Sequence, residues 1–280
     1  MSASNGDGER PTLSPDVLAL LEQHLRREEG AAASEDAVLM NGQGPAASAA
    51  DSFDDDHNNR KFALKEYWNE RFETEESYDW LLTLLDIEEN LLPLLPPARS
   101  ACKILMVGCG NSSLSRDLYE LGYTSITNID FSEVVIKKMS DKHRVTHPGM
   151  QWVVADMTDM ALQFPCCGLF DVIVDKASMD ALVVVEEDVW NPQQEVVESV
   201  HRYLQECSRL LSTREGSKMI QITFHQPHFR SKYLSGARHL QRGGADTSAH
   251  SGFSEVYSWT LSHSTIASNV FDYFLFVMSR

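Results

Sequence analysis

The segment KILMVGCGNSSLSRDLYELGYTSITNIDFS, Lys103 to Ser132, constrains what this chain can fold into more than any other part of it. An apolar run ends at Val107, glycines stand at 108 and 110, helical spacing begins near Ser112, and a second apolar run from Ser125 stops at Ile129 before Asp130. A chain that leaves a strand through a glycine turn, returns by a helix and enters another strand makes the two strands parallel neighbours. Further runs over Gln151–Ala155, Phe170–Val174 and Lys218–Thr223 repeat the pattern, with helices starting near Ser132 and Pro192, the latter carrying QQEVVESVHRYLQECSRLL. Strands alternating with helices predict an α/β fold: a mostly parallel sheet with helices on both faces. Two β-rich runs in EVYSWTLSHSTIASNVFDYFLFVMSR predict an antiparallel hairpin that finishes the sheet.

In an open parallel sheet the ligand lies beyond the carboxyl ends of the strands, where the winding direction switches. Gly108 lets the chain turn sharply there, Gly110 lets backbone approach a ligand, and the following helix offers N–H groups. Asp130 then ends the second strand, where a carboxylate can accept from two ribose hydroxyls. Two adenosine cofactors fit. A nicotinamide dinucleotide calls for a third glycine or alanine, and Ser113 stands there. S-adenosylmethionine has no phosphate and does without it. Asp156, after the third strand, is placed to accept the adenine amine, with Met157 against the ring. Taken singly, Asp130 and Asp156 also read as caps of the following segments.

Ahead of this unit, Phe62, Tyr67, Trp68 and Phe72, then Trp80, Leu81, Leu84, Leu85 and Leu91, predict two helices ended by Pro93, Pro96 and Pro97. Residues 1–60 are read as a disordered acidic tail with a short transient helix from Ser14, and 61–280 as the folded domain. The tail holds 12 acids and 4 bases of a chain whose net charge is -17, a balance that speaks against nucleic-acid binding. SGARHLQRGGADTSAHSG, 235–252, reads as a surface loop. The 5 cysteines show no C-x-x-C spacing, so neither a disulfide framework nor a metal site is expected. With no leader-like segment and no apolar run of membrane-spanning length, no membrane association is expected and the cytoplasm is the expected compartment.

Four ordered blocks, KEYWNERF with SYDWLL, ILMVGCGNSSLS, NIDFS and FDVIVDKASMDAL, resemble the class I, seven-strand S-adenosylmethionine-dependent methyltransferases. The likeness is to the subgroup that contains the lysine methyltransferases of elongation factor 1-alpha, the methyltransferase-like-protein-13 type. It runs from about Lys61 onward and implies a Rossmann-like seven-strand sheet and a protein-lysine substrate, possibly elongation factor 1-alpha. It also implies an aromatic cover of Trp68, Phe72 and Trp80, Gly108 and Gly110 at the methionine end, Asp130 and Phe131 at ribose and adenine, Asp156 and Met157 at adenine, and Lys176 beside the amino-acid moiety. Phe72 stands where the subgroup often has Tyr. Met106 stands where many class I enzymes have an acid, an absence the subgroup shares.

Methyl transfer from a sulfonium needs orientation and exclusion of water more than acid–base machinery. A lysine acceptor must first lose a proton, which burial in an apolar channel favours. Asp175 and Asp180 are the candidate catalytic acids, drawing the cationic acceptor in. HQPHFRSKY resembles the subgroup's PHFR segment, and His228, Phe229 and Arg230 are expected to line a substrate channel, His225 and His228 being structural rather than bases. The competing readings are a small-molecule methyltransferase of this fold, a nicotinamide oxidoreductase, and a methyltransferase-like scaffold without activity.

Overall fold

The structure is a computed structural model that describes residues 59–186, 188–240, 252–268 and 271–280. The expected acidic tail, with its helix from Ser14, lies outside the described residues except at Asn59 and Arg60.

Strands β1 Lys103–Val107, β2 Ser125–Asp130, β3 Gln151–Val154, β4 Val172–Lys176 and β5 Lys218–Thr223 pair in parallel. Strands β6 Gly252–Ser254, β7 Trp259–Ile266 and β8 Tyr273–Ser279 add an antiparallel half. The order is β3-β2-β1-β4-β5-β8-β7-β6, so the last strand in the chain sits between β5 and β7. The sheet has 8 strands where seven were expected. The additional one, β6, is a Gly-Phe-Ser edge too short to show alternation.

Strand side chains alternate between faces, so β1 sends Ile104 and Met106 into one core and Leu105 and Val107 into the other. The first core is closed by helices α2 Leu84–Leu91, α3 Leu114–Glu120 and α4 Glu133–His143, which bury Ile87, Leu118 and Met139. Helix α1, Lys65–Thr74, precedes α2 and buries Phe72 in the same core. The second core is closed by α5 Ser178–Val183 and α6 Gln194–Leu210. In α6, Val196, Val197, Val200, Tyr203, Leu204, Cys207 and Leu210 recur at helical spacing and are all buried. Helices α7 Pro227–Leu234 and α8 Ala237–Leu240 follow β5.

Local chemistry sets the ends. The Ser132 hydroxyl caps α4 by accepting the Val135 N–H at 3.3 Å. Asp86 accepts the Thr83 N–H at 2.9 Å to start α2. Two segments depart from expectation. The fourth strand begins at Val172, because Phe170 instead bridges to Leu211. The expected loop after Ser235 opens with α8, whose Arg238 guanidinium is buried and donates to the Trp190 carbonyl at 2.7 Å and to that of Val189; residues 241–251 lie outside the described set.

Candidate active site

From β1 the chain winds to β2 on one side and, later, to β4 on the other, which opens a crevice at the carboxyl ends of those strands. A cleft of about 500 Å³ lies there. It is lined by Trp68, Phe72, Trp80, Gly108, Gly110, Asp130, Phe131, Asp156, Met157, Lys176 and Asp180, so most of the predicted site residues share one hollow. Asp175, His228, Phe229 and Arg230 are not among the lining residues.

The glycine turn has two separate causes. Gly108 has φ +55, and a Cβ there would stand 2.3 Å from the Ser178 hydroxyl oxygen at the start of α5. That hydroxyl donates to the Val107 carbonyl at 2.7 Å and ties α5 to the end of β1. Gly110 has φ +49, and its Cβ would meet only the Phe72 ring at 3.5 Å, so its requirement is the left-handed backbone and the open space beside it.

Asp130 accepts the Gly110 N–H at 3.0 Å on one oxygen and the Ser132 N–H at 2.9 Å on the other. Its carboxylate thereby fixes the glycine turn as well as facing the cleft. Burial pushes the carboxyl up to about 6, against the amide N–H groups of Ser132, Gly110 and Phe131 and the charge of Lys65, which pull it down. Asp156 is exposed at the rim and accepts from the Thr158 N–H and hydroxyl, each at 2.8 Å.

The aromatic cover packs as one cluster. The Trp68 and Phe72 rings stack at 5.6 Å, Trp68 and Trp80 meet edge to face at 5.5 Å, and Arg71 lies 5.0 Å from the Trp80 ring centre. The Trp68 indole donates to the Phe62 carbonyl at 2.8 Å, whereas the buried Trp80 indole N–H has no hydrogen-bond partner among the described residues. An unpaired buried donor on a cleft residue, bare peptide at Gly110 and an amide-held carboxylate together suit a nucleoside.

Lys176 ends β4 with its ammonium donating to the Trp80 carbonyl at 2.6 Å and lying 3.5 Å from Asp79. Asp79 in turn accepts from the hydroxyls of Ser112 and Ser113, the latter at 2.9 Å, and from the Ser113 N–H at 3.3 Å. Of the N–H groups ahead of α3, expected to face a ligand, that of Ser113 is thus met by a carboxylate of this chain.

The structure separates the two candidate acids. Asp175 is fully buried, facing away from the cleft, and accepts from Tyr203 Oη at 2.7 Å, Gln221 Nε2 at 3.0 Å and the Ser178 N–H at 2.8 Å. It follows Ile173 onto the α6 face of the sheet, while Lys176 follows Val174 onto the other. It anchors α5 and α6 to β4. Asp180 does line the cleft, but its carboxylate pairs with Arg230 and accepts the Thr223 hydroxyl at 2.7 Å. Arg230 is 1% exposed and Phe229 3%, both interior residues of α7, and His228 packs beside Trp190 with ring centres 6.0 Å apart. The expected channel residues therefore brace the wall behind Asp180.

Sequence reading missed Asp79, Ser178, Phe62, Tyr78 and Phe224; the last four line the cleft. Asp79 lay inside the quoted SYDWLL block, but its partners are 33 and 34 residues away. Among the described residues no cluster of metal-ligating side chains occurs and no helix is long and apolar enough to cross a membrane.

Residues 104–213 match the family described as "Methyltransferase domain". EEF1A lysine methyltransferase 4 of Mus musculus is 31% identical over 225 residues, 79% of this chain and 77% of the relative. The eEF1A lysine and N-terminal methyltransferase of Mus musculus is 35% identical over 193 residues, 68% of this chain and 25% of that longer protein. Among solved structures, N-methyltransferase NodS from Bradyrhizobium japonicum WM9 in complex with S-adenosyl-L-homocysteine shares 16% identity with a TM-score of 0.44, covering 76% of this chain and 98% of that one. The first of these relatives settles the family: the chain belongs to the class I S-adenosylmethionine-dependent methyltransferases, in the subgroup of the EEF1A lysine methyltransferases.

Proposed function

We propose that this protein methylates a lysine side chain of elongation factor 1-alpha in the cytoplasm, with a catalytic domain that begins near residue 61. The observation that carries the reading is the single cleft shared by Asp130, Asp156, the two glycines, Lys176 and the aromatic cover. In it, Asp130 holds the ribose hydroxyls, Phe131, Asp156 and Met157 the adenine, Gly110 the sulfur-bearing arm and Lys176 the amino-acid carboxylate. Similarity to relatives named for lysine methylation of EEF1A supports the choice of acceptor.

When bound, S-adenosylmethionine supplies an electrophilic methyl on a sulfonium. This chain's own residues do the rest by placement. Trp68, Phe72 and Trp80 wall off water over the cofactor arm and present ring faces that tolerate a cation. On the acceptor side, Phe224, Tyr78 and Ala177 are apolar walls, and the Asp180 charge is compensated by Arg230. A neutralised pair behind an aromatic wall holds an ammonium poorly and a neutral amine well, so the acceptor is bound after losing its proton to water at the mouth. No residue of the site needs to act as a strong base.

The test is incubation of the purified protein with elongation factor 1-alpha and methyl-labelled cofactor, followed by peptide mapping by mass spectrometry. Label on a lysine of the factor, absent with Asp130→Ala, is the expected result. Label found only on small molecules would favour a metabolite methyltransferase, and no turnover despite cofactor binding would favour a scaffold.

A further inference from the structure

The segment between α1 and α2 crosses the cleft as a strap, contributing Tyr78, Trp80 and Leu81 to its lining. Leu81 holds φ +65, a conformation that costs a branched side chain energy and persists only where the surroundings impose it. Its side chain is buried in the first core, and polar contacts hold the residues before it. Asp79 is seated against Ser112 and Ser113 at the end of the glycine turn, and the next residue's carbonyl accepts the Lys176 ammonium at 2.6 Å.

Lys176 is a cation of the cleft wall, and its side chain is only 6% exposed. A buried ammonium with a single carbonyl partner would shed its proton; a carboxylate 3.5 Å away opposes that. The charged groups facing Lys176 are Asp79 and, further off, Asp86, both acidic. Burial pulls Lys176 below its ordinary value and these two acids pull it back. Asp79 is itself pushed up by burial but held below the usual carboxylate range by Lys176, Ser112 and Ser113.

We propose that Asp79 is a positioning residue for the cofactor: it keeps Lys176 charged and aimed along the cleft wall, and so makes the site select ligands that carry an amino-acid carboxylate. The inference rests on the placement of the cofactor's amino-acid end beside Lys176. Asp79 acts through Lys176 and through the strap, since it does not itself line the cleft.

The experiment compares the binding of S-adenosylhomocysteine and 5′-methylthioadenosine, which lacks the amino-acid group, to the full chain by calorimetry between pH 7 and pH 9.5. The wild type is expected to favour S-adenosylhomocysteine throughout. In Asp79→Asn that preference should fall by at least about tenfold as pH rises, the scale of losing a charge-assisted hydrogen bond. Asp79→Glu should retain it, and Lys176→Arg combined with Asp79→Asn should retain it at high pH, because a guanidinium keeps its proton. The ligand's own amine titrates alike in every protein, so the variant-to-wild-type ratio isolates Lys176. Asp79→Ser is read in place of Asp79→Asn if circular dichroism shows the latter unfolded. An unchanged preference in the folded variant at every pH would overturn the role of Asp79 alone. Equal affinity of the wild type for both ligands would overturn the cofactor placement as well.

Discussion

Acidification should weaken cofactor binding through Asp130, in proportion to how far its carboxyl has been pushed up. With that group near about 6, its ionised fraction falls from nearly complete at pH 7.5 to roughly a quarter at pH 5.5. Ribose hydroxyls donate to the carboxylate, so the bound form is the ionised one, and affinity for S-adenosylhomocysteine should drop about fourfold over that interval. The same proton acts on folding with the opposite sign. The ordinary carboxyl value is 3.8, so between it and about 6 the folded protein binds the extra proton. The stability this gives is complete below the unfolded value and is lost as pH rises through the folded one, a total of roughly 3 kcal/mol. From pH 7.5 to 5.5 the ligand-free protein should therefore gain roughly 0.8 kcal/mol from Asp130 while losing affinity. Calorimetric titration at the two pH values, with Asp130→Asn as reference, isolates both effects from the histidines, of which His143 and His201 are each lowered to about 4 by burial and a neighbouring ring. A dissociation constant that does not move in the wild type, or moves equally in Asp130→Asn, would refute the assignment of Asp130 to the ribose.

Three further outcomes are expected. Gly108→Ala and Gly110→Ala both force alanine into left-handed backbone at about 1–2 kcal/mol, but Gly108→Ala adds the overlap with Ser178, so its melting temperature should fall further; equal losses would show that contact to be slack. Asp175→Ala leaves buried donors of Tyr203, Gln221 and Ser178 unpaired and should cost roughly 2–4 kcal/mol in urea unfolding, while the methyl-transfer rate per folded molecule stays unchanged; a selective loss of rate would restore it as a catalyst. Arg230→Met removes the guanidinium that compensates the buried Asp180 carboxylate, leaving it Thr223 and His225, and should cost roughly 3 kcal/mol, much of it recovered in the double variant with Asp180→Ala; strictly additive losses would mean the pair is not coupled.

Much of the scaffold was legible because it is written locally. β1 and β5 begin and end where the apolar runs predict, Lys103–Val107 and Lys218–Thr223, since charge and turn residues bound them. The cleft followed from the same logic: two glycines and two strand-end acids converge because parallel strands bring their carboxyl ends together. The errors came from one-residue phase and from distance. Asp175 and Lys176 are neighbours and both belong to the expected site, but strand alternation buries the first against α6 and brings only the second to the cleft. In PHFR, Pro227 at the first helical turn marks a helix, which turns Phe229 and Arg230 inward instead of lining a channel. Asp79 had no local signal, because its donors are supplied by a turn that only the folded sheet brings near.

The position of β8 has a bearing on how the chain is made. A ribosome releases residues 273–279 after every other strand has emerged, yet they belong between β5 and β7. Until they arrive, β5 presents an unpaired edge carrying Ile220 and Ile222, and the β6–β7 pair has no strand linking it to the rest of the sheet. The nascent protein therefore carries a sticky, half-finished sheet until β8 emerges, and any early stop codon that removes this strand disconnects β6 and β7 from the remaining five.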